Sequence, residues 1–212
     1  MNFETFSKSV SEMSGEEFLA DSPSICHTLQ SEHGILMFAF VICNEETPYL
    51  RKTMRDSVYF DALNAASGDR LVVFTVADDI KEDNKKYLLK VPGVDGALGD
   101  STSAILSVFG LRTEVKYPSI LFFQPISASI EQVLIVELGK ESTEKSVNQM
   151  QAVFKSVRGV LDKITVENFP NKVEIFNQVE QHVYNQELRS KILAVGTNFL
   201  QVAALIRKLM GW

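Results

Sequence analysis

The chain has 212 residues, 45% of them hydrophobic and 23% charged, with a formal net charge of −6 at pH 7. That length can bury a substantial core in one domain, and the acidic balance argues against a general phosphate-binding surface and so against nucleic acid as a partner. Two cysteines and three histidines cannot build a disulfide scaffold; with no Cys-x-x-Cys clamp and no metal-like histidine spacing they also give no reason to expect a metal or another cofactor.

The start of the chain lacks a basic stretch followed by an apolar one, so no secretory signal is expected and the simplest location is cytoplasmic. Residues 1–33 read as helical and partly polar, with 1–21 as a segment of their own. Residues 35–42, Ile-Leu-Met-Phe-Ala-Phe-Val-Ile, form an apolar run of strand length that suits a strand buried on both faces. Thr47 followed by Pro48 is a helix start, because proline at the first helical position lacks only an N–H that would have no partner anyway. That helix is expected to end at Ser67, with Gly68 just past it. Residues 71–76 are a second buried strand.

Residues 78–100 are polar and read as loop or short helix, and Ser101 caps a helix over 101–109. Residues 117–123 and 132–138 read as two more strands joined by a turn. A longer helix follows over 142–164, where Val147, Met150, Val153, Phe154, Val157, Val160, Leu161 and Ile164 share one face at helical spacing. Phe169-Pro170-Asn171 marks a boundary. Residues 172–210 read as one or two helices, because Val173, Phe176, Val179, Val183 and then Ile192, Val195, Phe199, Val202, Ile206 and Leu209 recur three or four apart. Strands alternating with helices, then a hairpin and a closing helix, predict a mixed α/β sandwich.

The order strand, helix, strand, helix, Pro-led strand, strand, helix over residues 22–168 resembles the thioredoxin fold. The local agreements are Phe109-Gly-Leu-Arg leading to Tyr117-Pro-Ser-Ile-Leu-Phe-Phe123, Val136-Glu-Leu-Gly139 before the closing helix, and Glu46-Thr47-Pro48-Tyr49 in the place of Cys-Gly-Pro-Cys. The resemblance implies a three-layer sandwich on a mixed central sheet and a cis Tyr117–Pro118 bond. Three departures go with it. Glu46 and Tyr49 replace both motif cysteines, Phe40 stands where the family has a buried acid, and residues 78–102 form an insertion suited to a functional loop. Residues 169–212 add a C-terminal helical extension.

Dithiol exchange needs a low-pKa thiolate with a resolving thiol beside it. Cys43 ends the first buried strand, away from the helix N-terminus that would activate it, and reads as a structural thiol. Cys26 and His27 are neighbours in sequence, but adjacent helical residues point about 100° apart. Asp78, Asp79, Glu82 and Asp83 lack a glycine-centred calcium loop and read as a solvated turn. Gly93, Gly96 and Gly99 lack the Lys-Ser/Thr ending or dinucleotide fingerprint of a phosphate loop.

Two surfaces carry the functional expectation. One is the rim Glu46, Thr47, Pro48, Tyr49, Tyr117 and Pro118, which in thioredoxin relatives receives an extended polypeptide. Arg51, Lys52 and Arg55 flank it, the other reading being that Tyr49 merely covers the helix start beside a solvated basic face. The second is the helix expected over 192–206. It is too short and polar to span a bilayer; packing on its own domain, a homodimer interface, or contact with a membrane surface through Arg207, Lys208 and Trp212 are its three possible roles. The sequence thus predicts a redox-inactive thioredoxin-like module that binds protein or peptide. The alternative is a monothiol enzyme, peroxidase-like or glutathione-linked, using Cys43.

Overall fold

Why β1 lies inside the sheet follows from its composition. Six consecutive apolar residues, Met37–Ile42, are all buried, which requires strands on both edges and helices on both faces. The computed structural model describes residues 34–43, 47, 50, 57–75, 101–111, 115–125, 129–140, 142–164, 172–185 and 188–210. In chain order these form β1 (Met37–Ile42), α1 (Ser57–Ser67), β2 (Leu71–Thr75), α2 (Ser101–Val108), β3 (Ser119–Phe123), β4 (Ser129–Glu137), α3 (Thr143–Leu161), α4 (Lys172–Tyr184), β5 (Ser190–Asn198) and α5 (Phe199–Met210). The strands make one sheet in the order β2-β1-β3-β4-β5. Only β1 and β2 run parallel; the other three pairings are antiparallel. The chain is a mixed α/β protein, and among the described residues no helix is long and apolar enough to cross a membrane.

Strand alternation divides the core in two. Phe38, Phe40, Phe74, Leu121, Phe123, Val133 and Ile135 face one side, where α2 and α5 cover them. Met37, Ala39, Val41, Ile120, Phe122, Leu134 and Val136 face the other, beneath α1, α3 and α4. The apolar stripe predicted for α3 is the buried one: Val147, Met150, Val153, Phe154, Val157, Val160 and Leu161.

Local chemistry accounts for where the helices begin and end. Ser142 caps α3, its Oγ accepting the Lys145 N–H at 3.1 Å. Past α2, Gly110 takes a positive φ of 68°, while its N–H reaches the Ser107 carbonyl and the Leu111 N–H that of Leu106. That paired pattern closes a helix through a left-handed glycine. Gly68 takes the same role after α1, with φ 71°, and a Cβ there would also meet Arg158 Cδ at 2.9 Å. Two arginines bind the ends of α1 and α3 to each other. Arg158 of α3 donates to the Ala65 carbonyl of α1 at 3.2 Å. Arg70, just beyond α1, donates to the Leu161 carbonyl at 2.8 Å and also to that of Ile164.

The largest difference from the sequence reading is at residues 190–198. The helix expected there is β5, which pairs antiparallel with β4 over nearly its whole length, so the stretch read as a helical extension runs helix, strand, helix. Ile192, Val195 and Phe199 mimic helical spacing because the strand lies between two cores. Ile192 packs into the α3–α4 side and Leu193 and Val195 into the α2–α5 side, so apolar residues occur at both phases of the alternation. In α5, Val202, Ala203, Leu205 and Ile206 are buried; the helix docks on its own sheet. The segments predicted over 1–33 and 78–100, and the boundary at Phe169–Asn171, lie outside the described residues.

Candidate functional site

The rim is built from the ends of β1 and β3. Their register sets Ile42 opposite Ser119, and one further step places Cys43 opposite Pro118. The Tyr117–Pro118 bond is cis, as expected. Tyr117 is half-buried against the phenylalanine-rich side of the core, and Pro118 is buried. The Pro118 carbonyl accepts the Leu138 N–H at 2.9 Å, tying the rim to the end of β4. Ser119 Oγ donates back to the Lys116 carbonyl, while Lys116 Nζ lies 3.8 Å from Glu137 Oε2.

Thr47 is 1% exposed, and its carbonyl accepts the Leu50 N–H at 3.1 Å. A helix-capping residue gives its carbonyl to the first turn in this way, and Leu50 is helical. Glu46, Pro48 and Tyr49 lie outside the described residues, as do Arg51, Lys52 and Arg55. Of the predicted rim, the described structure therefore shows Thr47, Tyr117 and Pro118.

Cys43 is buried, 4% exposed, and belongs to the α1–α3–α4 side of the core. Its carbonyl accepts Thr102 Oγ1 at 2.5 Å, so the first turn of α2 is fastened to the end of β1. Thr102 was not singled out in the sequence. Its neighbour Ser101 carried the capping signal, and nothing in a one-dimensional pattern pairs residue 102 with residue 43. The local chemistry is accordingly structural. The hydroxyls of Thr102 and Ser119 both donate to main-chain carbonyls, and the thiol belongs to a buried residue.

Other candidate chemistry is equally quiet. Among the described residues, no three His, Cys, Asp or Glu side chains lie together as a metal cluster. His182 sits exposed on α4 with Nδ1 2.9 Å from the Gln178 carbonyl. Cys26, His27, His33, the acidic turn at Asp78, Asp79, Glu82 and Asp83, and Gly93, Gly96 and Gly99 lie outside the described residues. An open groove of about 490 Å³ runs beside the start of α3, lined by Ser142, Glu144, Lys145, Asn148, Gln149, Ala152 and Leu188. Its capping groups are engaged within the fold: Ser142 Oγ by Lys145 N–H, and Gln149 Oε1 by Gly139 N–H at 2.7 Å.

Comparison with family models, with curated proteins and with solved structures finds no match to this chain.

Proposed function

We propose that this chain is a redox-inactive, thioredoxin-like module that binds a protein or peptide at the rim formed by Thr47, Tyr117 and Pro118, with Glu46, Pro48 and Tyr49 completing it. The observation that carries this reading is the burial of Cys43 at the rim, with its carbonyl held by Thr102. A nucleophilic thiol must be reachable and stabilised as thiolate, whereas a binding rim can work through a rigid backbone edge, with the half-exposed Tyr117 beside it. Supporting it are the strand order β2-β1-β3-β4 with a single parallel pair, α1 and α3 together on one face with α2 on the other, and a sheet interior with Phe40 at the position that would hold a buried acid. The apolar face of α5 is spent on its own core, which favours the rim over the C-terminal helix as the contact surface.

The alternative, a monothiol enzyme using Cys43, makes the opposite prediction for one measurement. In a Cys26→Ser background, native protein is treated with a small alkylating reagent across pH and read by intact mass. Labelling of Cys43 only on unfolding is the expected result. Rapid native labelling with a midpoint well below the ordinary thiol value of about 8.5 would overturn the binding reading. Its positive counterpart is amide NMR with peptides selected by display on the folded protein. Bound peptides should shift Thr47, Tyr117 and Ser119, and Cys43→Ser should leave that binding intact.

A further inference from the structure

Among the described residues β5 is an outer strand of the sheet, and its hydrogen-bond phase is set by one contact. The Glu137 N–H donates to the Arg189 carbonyl at 2.8 Å, so residues 189 and 137 form a bonded pair. In an antiparallel ladder, bonded and non-bonded pairs alternate. With Ile135 opposite Lys191 and Val133 opposite Leu193, those two β5 residues bond inward to β4. The N–H and C=O groups of Ser190, Ile192 and Ala194 point outward.

Natural sheets blunt such edges with charge, proline or a bulge. Here the strand carries one charge, Lys191, which an antiparallel pairing about Ile192 would set opposite Leu193 rather than opposite another charge. The bulge comes later: Ile130 pairs with Thr197 and Gln132 with Ala194, leaving Val195 and Gly196 opposite Glu131. Residues 190–194 are thus a regular segment whose outward positions carry Ser, Ile and Ala. Ala194 is exposed, and Ser190 and Ile192 are half-exposed. Those positions are self-complementary about Ile192. A two-fold axis there sets Ile192 against Ile192 of a second copy and Ser190 against Ala194 on either side. Every such pair exchanges both main-chain bonds without bringing like charges together, and the central Ile192 pair is a β-branched contact of the kind that supports antiparallel strands. Tyr184, 75% exposed, ends α4 on the same side of the sheet to which Ile192 points.

We infer that β5 is a homodimerisation edge, pairing antiparallel with β5 of a second copy about Ile192 to continue the sheet from one chain into the other. So short a strand pairing lies at the small end of specific interfaces, and its dissociation constant is expected at roughly 10 μM to 1 mM.

Sedimentation velocity over that range, joined to amide hydrogen exchange, tests it. The Ile192 and Ala194 amides should exchange fast in dilute protein and slow with rising concentration, while those of Lys191 and Leu193 stay protected throughout. Ala194→Pro removes an outward N–H that the β4 ladder does not use, so the fold is kept and association should weaken at least ~10-fold. The Ser190→Lys/Ala194→Asp double variant sets opposite charges face to face across the axis and should tighten association several-fold; it remains decisive if the proline variant fails to fold. A chain that stays monomeric throughout that range, Ile192 and Ala194 amides protected at every concentration, or association unchanged in the double variant would each overturn the proposal.

Discussion

The two faces of the sheet hold the molecule together in different ways. On the α2–α5 side, Phe38, Phe40, Phe74, Phe109, Phe123 and Phe199 form a chain of ring contacts with centroids 5.3–6.4 Å apart. Those rings come from β1, β2, the end of α2, β3 and the start of α5, segments far apart in sequence. The α1–α3–α4 side is mostly aliphatic and organised by one amphipathic helix; its ring contact between β3 and α3 is Phe122 with Phe154, at 6.3 Å and nearly perpendicular. One face is therefore a network joined through large rings, whereas the other is a helix laid along a strip of small and branched side chains. A network couples its members, while a helix strip adds its contacts more nearly independently.

Double-mutant cycles break or sharpen that contrast most strongly. Phe38→Ala and Phe154→Ala should each cost about 3–5 kcal/mol in denaturant unfolding, since both rings are fully buried and leave cavities. If the protein falls below its unfolding threshold, Phe→Leu replacements serve the same cycle. Phe38 and Phe123 stack at 5.6 Å, so their double variant should depart from additivity by about 0.5–3 kcal/mol. Phe38 with Phe154, on opposite faces, should add to within about 0.5 kcal/mol. Equal coupling in both cycles would erase the distinction between the faces.

Next in size is the arginine that closes the aliphatic face. Arg70→Ala removes two charged hydrogen bonds, one to the last carbonyl of α3 at Leu161 and one to that of Ile164 just beyond it, and should cost about 2 kcal/mol. Hydrogen exchange should rise first at the C-terminal turn of α3, and a change spread evenly over both faces would contradict a local role. The smallest effect is at the opposite end of the same helix. Ser142→Ala leaves the Lys145 N–H without its cap and should cost about 1 kcal/mol, with the ring network on the other face unmoved in NMR.

Legibility in the sequence followed how local each cause was. The apolar stripe of helix α3 could be read because it is written within consecutive residues, although the helix ends at Leu161 rather than at the expected residue 164. Gly68 could be read for the same reason. The strand β1 announced itself as a run too apolar for anything but the middle of a sheet. β5 could not be read, because its short apolar run continues at helical spacing through Ile192, Val195 and Phe199 into Val202 and Ile206 of α5, so the period alone favours one helix. At the rim, Pro118 was legible through its order in the chain. Thr102 was not, because its partner is the carbonyl of Cys43, an interaction that exists only once α2 is folded over the end of β1.

The sequence by itself determined the α/β class, the buried central strand, the long amphipathic helix and the absence of a Cys-x-x-Cys motif. Those rest on periodicity, capping and composition, which act within a few residues. The tertiary structure alone decided that the tail returns to the sheet as a fifth strand, that Cys43 is buried and that α5 docks on its own core. Each of those depends on which segments meet, and burial energy is shared among partners that no short window of sequence contains.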